Sequence, residues 1–227
     1  MIILTGASGG IGSEILYELS KIDHVVAIGH SREPKINQLS KITPYQMDLC
    51  SEDEIDRFID KIGSKLSQVT LVHAAATKVD KLAAQLSLDD WDKVINLNLK
   101  GNFLLSKKIL PTMMKDKWSR IIHISSVGGE DGAIGTLAYS TSKTGLNGLS
   151  RVLAKEYGRF GITSNVLVPG FLNTGLLHSL SEKDKAETLN RIPSRQFGDP
   201  INVFHAIEFL IKSEYVNGAS INIDGGY

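Results

Sequence analysis

The sequence predicts one α/β domain, in which helices cover both faces of a doubly wound parallel sheet and so form three layers. Short apolar runs rich in β-branched residues alternate with amphipathic segments from one end of the chain to the other. Strands that alternate with helices lie parallel and are joined by right-handed crossovers. The 227 residues are enough for one large domain, and no repeat, low-complexity tract or linker divides them. We therefore expect a single domain over 1–227.

Seven of the apolar runs have the length and composition of buried strands. The predicted strands are Ile2–Thr5, His24–Gly29, Thr43–Met47, Val69–Ala74, Arg120–Ser125, Thr163–Val168 and Ala219–Ile223. The predicted helices are Gly10–Lys21, Ser51–Leu66, Leu88–Met114, Ala138–Gly158 and Pro200–Lys212. Ser51 and Ser87 each precede an acidic residue by three positions, and Asp199 precedes Pro200, so these three residues are expected to be N-caps.

A polar and charged stretch, residues 172–198, follows the sixth predicted strand. Such a stretch would lie over the carboxyl edge of the sheet, where ligands bind in folds of this kind. We expect it to form a lid over a substrate. An ordinary pair of surface helices is the alternative.

Composition excludes several classes of function. The 25 basic and 25 acidic residues cancel, so there is no electrostatic footprint for nucleic acid or for an anionic membrane. One cysteine, Cys50, allows neither an intrachain disulfide nor a thiol metal cluster, and we predict no metal site. The first residues lack the pattern of a signal peptide, and no apolar run has the length of a membrane span. We expect a cytoplasmic enzyme or binding protein.

A glycine-rich turn joins the first strand to the first helix. Glycines let the backbone turn tightly and approach a pyrophosphate, which the helix N-terminus then stabilises. The spacing G-x-x-x-G-x-G differs from the usual dinucleotide fingerprint, but its place after an N-terminal strand favours the same function over a generic loop. The predicted cofactor contacts in this turn are Gly6, Ser8, Gly9, Gly10, Ile11 and Gly12.

The residues after the second and third strands bear on the choice of nucleotide. His30, Ser31 and Arg32 offer a hydroxyl and basic groups, which suit the 2′-phosphate of NADP, whereas NAD usually requires an acid here. The nearest acid, Glu33, comes late. We therefore favour NADP(H), with NAD(H) as the alternative, unless these are merely solvated loop charges. Asp48, followed by Leu49, could bond an adenine amino group or cap the turn into the next helix.

Small or polar residues end the next two strands. Ala74 and Ala75 leave room for a cofactor at the point where the strand order reverses, and the preceding His73 is interpreted as a core histidine. Ser126 could donate a hydrogen bond to a substrate carbonyl, or could simply cap the strand end. It lacks the surroundings of a nucleophilic serine. Asn98 is a polar residue on an apolar helix stripe, and by itself it is interpreted as structural.

Tyr139 lies four residues before Lys143 at the head of a predicted helix, so both side chains occupy one face. A phenol titrates near pH 10, and a cation held close favours its ionised form. We therefore expect Lys143 to lower the pKa of Tyr139. That arrangement would give a proton donor and acceptor near neutrality without a metal.

Taken together, these motifs resemble the single-domain type of the short-chain dehydrogenase/reductase family over essentially the whole chain. The motifs are Thr5-Gly6-x-x-x-Gly10-x-Gly12, Asp48-Leu49, Asn98 within Asn96-Leu97-Asn98-Leu99, Ser126, Tyr139-x-x-x-Lys143, Pro169-Gly170 and Asp224-Gly225-Gly226. The resemblance implies a Rossmann-type sheet with strand order 3-2-1-4-5-6-7. It also implies cofactor contacts from a segment after the sixth strand, namely Pro169, Gly170, Phe171 and Thr174.

The resemblance further implies a catalytic tetrad. Tyr139 would be the general acid in reduction or the base in oxidation, and Ser126 would orient the carbonyl. Lys143 would lower the pKa of Tyr139 and hold the nicotinamide ribose. Asn98 would hold a water that links Lys143 to solvent. The cofactor carries the hydride chemistry, and the protein positions it.

Within the family, Ile192–Pro200 and the Asn217-Gly218 to Asp224-Gly225-Gly226 ending resemble the 3-oxoacyl-[acyl-carrier-protein] reductases. One departure is His73-Ala74-Ala75-Ala76, where the family usually has Asn-Asn-Ala-Gly, and it implies a changed local hydrogen-bond network. The first hypothesis is NADPH-dependent reduction of a 3-oxoacyl thioester or similar ketone. The second is NAD(P)-dependent oxidation of a sugar or polyol, and the third is a non-catalytic nucleotide sensor.

Two statements about partners follow from the resemblance. Homotetramers or dimers are expected, packed through the helices Leu88–Met114 and Ala138–Gly158. If acyl carrier protein is a partner, basic residues expected near the mouth of the site, such as Lys117, Arg120 and Arg159, could meet its acidic surface. The alternative is that these three are ordinary solvated charges.

Overall fold

Seven parallel strands form the sheet predicted from the sequence. The structure is a computed structural model, and it describes residues 1–32, 34, 41–174, 177 and 181–227. The strands are β1 (Ile2–Thr5), β2 (Val25–Gly29), β3 (Ile42–Gln46), β4 (Thr70–His73), β5 (Ser119–Ile124), β6 (Ile162–Pro169) and β7 (Ser220–Ile223). Their order across the sheet is β3-β2-β1-β4-β5-β6-β7, which confirms the predicted Rossmann-type arrangement.

The helices lie where the amphipathic segments predict them, with two differences. They are α1 (Gly10–Ile22), α2 (Glu52–Ile62), α3 (Leu88–Ile95), α4 (Gly101–Asp116), α5 (Leu137–Tyr157), α6 (Glu182–Arg191) and α7 (Ile201–Lys212). The predicted helix Leu88–Met114 is divided into α3 and α4 by a turn of π-helix, Asn96–Lys100. Helix α6 lies within 172–198, where no individual helix was predicted. None of its residues is buried, so the sequence shows no apolar stripe that would indicate a helix.

The predicted N-caps Ser51 and Ser87 are confirmed, whereas Pro200 rather than Asp199 is the N-cap of α7. Ser51 accepts a hydrogen bond from the backbone N–H of Glu54 at 3.3 Å, and Ser87 accepts one from Asp90 at 3.2 Å. The carboxylate of Asp199 accepts from the N–H of Ile201 at 2.9 Å, at the start of α7. Each of these hydrogen bonds satisfies a backbone donor that has no partner within the helix.

Alternate residues of each central strand point to opposite faces of the sheet, and each face has its own apolar core. Ile3, Leu71 and Ile121 pack against α2 and α4 on one face. Their neighbours in sequence pack against α1 and α7 on the other face. Burial on both faces explains why these strands are continuous apolar runs.

The carboxyl ends of the strands meet at one edge of the sheet, and this edge positions the site. The strand order reverses beside β1, because β2 and β4 flank it. A crevice forms outside the strand ends at such a point. There the hydroxyl of Thr5 lies 3.2 Å from the backbone N–H groups of both Ala74 and Ala75, which ties the end of β1 to the end of β4. Within the described ranges, no helix has both the length and the apolar character needed to cross a bilayer.

Candidate active site

The glycine-rich turn leaves no room for side chains at two positions. Gly6 has a φ of +66°, and a Cβ at this position would lie 2.6 Å from the backbone N and Cα of Ala75. A Cβ on Gly12 would overlap the carbonyl oxygen of Gly6. Glycine is therefore required at both positions, and the backbone itself forms the floor of the crevice.

Helix α1 presents its N-terminus to this crevice. Its N-cap, Gly9, has no side chain to satisfy the first backbone donors, and its first turn contains no acidic residue. Gly9 and Gly10 are exposed, and a Cβ on Gly10 would lie 3.4 Å from the hydroxyl oxygen of Thr174. Open N–H groups at the positive end of a helix dipole attract an anion. These residues therefore fit the pyrophosphate of a dinucleotide cofactor.

The loop after β2 carries the groups predicted to select the nucleotide. Gly29 ends the strand in a tight turn, since a Cβ there would overlap the carbonyl oxygen of Arg32. His30, Ser31 and Arg32 are all exposed. Arg32 lines a small cleft of about 70 Å³ together with Gln46 of β3. Glu33, the acid that follows, lies outside the described residues.

Asp48 caps the turn into α2. Its carboxylate accepts a hydrogen bond from the backbone N–H of Cys50 at 2.8 Å, and its own N–H donates to Glu54 at 2.7 Å. Leu49 is buried, and its Cβ would lie 3.1 Å from a Cβ on Gly101. The structure thus shows the capping role, and the contact of Asp48 with adenine stays a prediction.

Ser126 and Tyr139 are brought together at the end of β5. Ser126 accepts a hydrogen bond from the N–H of Gly128 at 3.2 Å, and its hydroxyl lowers the pKa of the Tyr139 phenol. A Cβ on Gly128 would lie 3.6 Å from the hydroxyl oxygen of Ser126 and 3.7 Å from Cε1 of Tyr139. The hydroxyl and the phenol therefore face one small space, which suits a single substrate carbonyl.

Lys143 lies beneath this space, in the interior. Its side chain is 3% exposed, and Nζ donates to the carbonyl oxygen of Ile124 at 2.6 Å. Nζ lies 5.7 Å from the centroid of the Tyr139 ring. Burial lowers the pKa of Lys143 to about 8. The neighbouring Ser125 fixes the start of α5, because its hydroxyl donates to the carbonyl oxygen of Lys143 at 3.1 Å.

The pKa of Tyr139 moves in the direction opposite to the prediction. Burial of the phenol, the largest influence, raises its pKa above the usual value, while the hydrogen bond from Ser126 opposes this. The charge of Lys78 also lowers this pKa, and that of Asp80 raises it. The prediction that Lys143 lowers the pKa of Tyr139 is therefore wrong for this arrangement, because its ammonium group is directed at the Ile124 carbonyl.

Asn98 is buried in the π-helical turn and holds the main chain of Thr77. Its Nδ2 donates to the carbonyl oxygen of Thr77 at 2.8 Å, and its Oδ1 accepts from the Thr77 N–H at 2.8 Å. Nδ2 also lies 3.0 Å from the hydroxyl of Ser142, which donates to the carbonyl oxygen of Tyr139 at 2.7 Å. Asn98 therefore joins the segment after β4 to the start of α5. Its link to a water remains a prediction.

Two buried histidines lie below the site on adjacent strands. His73 is a core residue, as predicted, and its Nε2 lies 3.0 Å from the hydroxyl of Ser106 on α4. Its other ring nitrogen and both nitrogens of His123 find no hydrogen-bond partner among the described residues. Burial lowers the pKa of His73 well below its usual value. Burial, aided by the charge of Lys143, lowers that of His123 to about 3.

The segment after β6 is fixed against the end of β7. A Cβ on Gly170, which follows Pro169, would lie 2.8 Å from the Cα of Asp224, and the N–H of Gly170 donates to Ile223 at 3.0 Å. Phe171 packs edge to face on Tyr227, with ring centroids 5.2 Å apart. This packing directs the following residues toward α1, where Thr174 lies beside the glycine-rich turn. Of the predicted lid 172–198, residues 175, 176 and 178–180 lie outside the described residues.

The basic residues near the site differ from those expected. Arg120 is buried near the start of β5, where its Nε donates to the carbonyl oxygen of Ile211 at 3.1 Å. Lys117 precedes β5 and Arg159 follows α5, so within the chain both lie at the amino edge of the sheet. The expectation that these three lie near the mouth is wrong. Lys78 follows β4 and so lies at the carboxyl edge of the sheet, and no sequence signal singled it out.

The sequence of the chain also matches a known protein family. The model described as short chain dehydrogenase matches residues 1–185. The chain belongs to the short-chain dehydrogenase family. Members of this family are oxidoreductases that act on CH–OH and C=O groups with a nicotinamide cofactor, and this short-chain dehydrogenase has the fold and the site for that chemistry.

Curated relatives match this short-chain dehydrogenase over nearly its whole length. The 3-oxoacyl-[acyl-carrier-protein] reductase FabG of Rickettsia conorii is 37% identical over 231 residues, which cover 99% of this chain and 95% of the relative. The enzyme of the same name from Thermotoga maritima is 34% identical over 235 residues, covering 99% and 96%. Among solved structures, a putative gluconate dehydrogenase from Agrobacterium tumefaciens has a TM-score of 0.91 at 25% identity, covering 100% of this chain and 94% of that chain.

Proposed function

We propose that this short-chain dehydrogenase reduces 3-oxoacyl thioesters to secondary alcohols, with NADPH as the hydride donor. The observation that carries the chemistry is the apposition of Ser126 and Tyr139 above the buried Lys143, at the carboxyl edge of the sheet. The names of the curated relatives, which cover nearly the whole chain, support a 3-oxoacyl group on acyl carrier protein as the substrate.

In this mechanism the chain supplies a proton and two hydrogen bonds. The nicotinamide supplies the hydride when the cofactor is bound. The hydroxyl of Ser126 orients the substrate carbonyl, and the phenol of Tyr139 gives its proton to the carbonyl oxygen. Burial holds the pKa of Tyr139 above its usual value, so the phenol carries a proton at neutral pH. In reduction Tyr139 would therefore act as the acid.

Lys143 and Asn98 complete the proposed tetrad. With a pKa of about 8, Lys143 is largely protonated at neutral pH, and its ammonium group would hold the nicotinamide ribose. Asn98 would bind a water that links Lys143 to solvent and so restores the proton that Tyr139 loses. Its direct hydrogen bonds to Thr77 and Ser142 also hold the wall of the site.

The proposed cofactor site runs from the glycine-rich turn to the segment after β6. It includes the turn residues 6–12, the loop His30–Arg32, Asp48 and Leu49, the ends of β4 and β6, and Thr174. The exposed Arg32 and the absence of a carboxylate from His30-Ser31-Arg32 support NADP(H) over NAD(H), because guanidinium groups bind phosphate well.

A second candidate is oxidation of a sugar or polyol alcohol. The structure of a putative gluconate dehydrogenase covers 100% of this chain at a TM-score of 0.91, which favours this alternative over other substrate classes. Tyr139 would then act as a base. A non-catalytic nucleotide sensor is the third hypothesis, and the presence of all four tetrad side chains is an argument against it.

One assay separates these functions. The purified protein is given acetoacetyl coenzyme A with NADPH, and separately gluconate or a polyol with NADP⁺ or NAD⁺, and the absorbance of the reduced cofactor is followed. Consumption of NADPH supports the reductase. Production of reduced cofactor from gluconate alone would replace it with the second candidate, and no turnover with any pair would favour the sensor.

We also propose the setting in which the enzyme works. Residues 1–227 would form one cytoplasmic domain, with 172–198 as its lid, and two or four copies would associate through α3–α4 and α5. Phe103 on α4 is 45% exposed and Val152 on α5 is 52% exposed, and such apolar side chains suit a helical interface. Light scattering during size-exclusion chromatography measures the number of copies, and a monomer at micromolar concentration would contradict this association.

A further inference from the structure

We propose that Lys78 binds the thioester carbonyl oxygen of the substrate, and thereby selects compounds that carry a second carbonyl two carbons from the reacting ketone. The inference rests on the proposed function and names a specificity residue for it. Three features carry it: the fixed backbone on either side of Lys78, the charges around the phenol of Tyr139, and the chemistry of a 3-oxoacyl group.

The first fixed point is Thr77, immediately before Lys78. Both polar groups of its peptide backbone are held by the side chain of Asn98, at 2.8 Å each. Asn98 is fully buried, and its amide also bonds to Ser142 on α5. The main chain that leads into Lys78 therefore keeps a constant position relative to the helix that carries Tyr139.

The second fixed point is Lys81, three residues later. Its N–H donates to the carbonyl oxygen of Gly135 at 2.8 Å, and it forms a parallel bridge with Thr136. Its Nζ pairs with Asp90 of α3 at 2.5 Å. Thr136 is the N-cap of α5, three residues before Tyr139. Residues 77–81 thus run along the start of α5 and form one wall of the active site.

The wall carries two opposite charges. Lys78 and Asp80 form an ion pair of 2.7 Å, and both side chains are about half exposed. The charge of each influences the pKa of the Tyr139 phenol, Lys78 lowering it and Asp80 raising it. An ammonium group has three N–H donors. Since Asp80 takes one, the others remain for an oxygen atom in the crevice.

The geometry of a 3-oxoacyl thioester provides that oxygen. Its ketone oxygen would bond to Tyr139 and Ser126, and its thioester oxygen lies on the carbon two positions along the chain. Tyr139 and Ser126 are the proton donors for the first oxygen, so the second needs a separate donor nearby. A cation is the strongest donor for a carbonyl oxygen. Of the two lysines on this wall, Lys81 is paired with Asp90 of α3, whereas Lys78 lies between the fixed points at Thr77 and Lys81 and is about half exposed.

The experiment compares two substrates, acetoacetyl coenzyme A and the monoketone 2-butanone, both with NADPH. Lys78→Gln removes the charge and keeps a polar side chain of similar length, and Lys78→Arg keeps the charge. Lys65→Ala is the matched control, because Lys65 is an exposed lysine near the amino edge of the sheet. Circular dichroism melting verifies that each variant is folded.

We expect Lys78→Gln to raise KM for acetoacetyl coenzyme A and to lower kcat/KM by about 10- to 100-fold, the effect of losing a hydrogen bond from a charged donor. Its kcat/KM for 2-butanone should fall by no more than about threefold, because this substrate loses only the influence of the Lys78 charge on the Tyr139 phenol. Lys78→Arg should restore most of the activity on the thioester, and Lys65→Ala should match wild type with both substrates.

Two results would overturn the inference: activity of Lys78→Gln on the thioester within about threefold of wild type, or equal losses with both substrates. If wild type leaves 2-butanone unreduced, the decision rests on the thioester alone, where a loss in Lys78→Gln without recovery in Lys78→Arg is the contrary result. If wild type fails to reduce acetoacetyl coenzyme A, the proposed reductase function fails first, and the inference fails with it.

Discussion

The imidazole rings of His73 and His123 lie stacked on adjacent strands, with centroids 5.0 Å apart and an angle of 5° between their planes. The two residues are register partners in β4 and β5, and both are fully buried. Among the described residues, no carboxylate is hydrogen-bonded to either ring. Nothing of that kind would therefore stabilise the positive charge of a protonated imidazole. The fold therefore holds both imidazoles neutral.

This pair predicts that the free energy of unfolding falls in acid. The folded-state pKa of His123 is about 3, whereas its unfolded value is near 6.5, so the unfolded chain binds more protons below pH 6.5. The contribution of neutral His123 to the free energy of unfolding is complete above pH 6.5 and is lost progressively toward pH 3. At pH 5 the loss from His123 is about 2 kcal/mol. Urea denaturation at pH 8, 6 and 5 measures it.

A matched pair of variants isolates the effect. His123→Asn should flatten the change between pH 7 and pH 5, whereas His205→Asn, at an exposed histidine on α7, should leave it as in wild type. Equal slopes for wild type and His123→Asn would show that other groups cause the loss of stability.

Tyr139→Phe should remove turnover and leave cofactor binding nearly intact. The variant lacks only the hydroxyl that gives its proton to the substrate, and proton transfer of this kind contributes about 10²- to 10⁴-fold to a rate. Steady-state assays measure kcat, and the fluorescence of bound NADPH measures the cofactor affinity. Wild-type kcat in the purified variant would exclude Tyr139 as the acid.

Arg32→Ala should weaken NADPH binding by about 10- to 100-fold, because a guanidinium contact to phosphate is a charge-assisted hydrogen bond. NADH binding should stay unchanged, since NADH has no 2′-phosphate. Fluorescence titration of both nucleotides against wild type and variant measures this. Tighter binding of NADH than NADPH by wild type would reverse the cofactor assignment and favour sugar or polyol oxidation.

Gly6→Ala should destabilise the fold and abolish dinucleotide binding. The new methyl group would lie 2.6 Å from the backbone of Ala75, and the positive φ of +66° is unfavourable for alanine. We expect a loss of about 2 kcal/mol or more in the free energy of unfolding. Gly63→Ala is the control, because a Cβ there makes only an ordinary contact of 3.6 Å. A stable Gly6→Ala variant that binds NADPH would contradict the close approach.

Local pattern was sufficient to predict the sheet and most of the helices. The central strands are buried on both faces, so each appears in the sequence as an apolar run, and the caps at Ser51 and Ser87 depend only on residues three positions apart. The π-helical turn at Asn96–Lys100 was not predicted. Within this turn Asn98 bonds to the backbone of Thr77, which lies 21 residues earlier in the sequence. A local pattern does not contain that contact.

The motifs predicted which residues form the candidate site, and that membership stays a prediction, but they predicted the arrangement of these residues only in part. The motifs brought Ser126 and Tyr139 together as expected, because both lie at strand or helix ends of fixed position. Helical spacing placed Lys143 on the face of Tyr139, but it carried no information about the carbonyl of Ile124, which belongs to a different element. The role of Lys78 was also hidden, since it depends on a wall built from three separate segments.

The side chain of Asn98 holds the segment 77–81 through backbone atoms of Thr77 alone. The side chains at positions 78, 79 and 80 therefore do not contribute to that anchorage, and they can change without moving the wall. Descendants of one ancestral enzyme could exchange these residues and accept new substrates while the catalytic apparatus stays in place. For the same reason, we expect a library of variants at positions 78–80 to alter substrate preference while this anchorage stays intact.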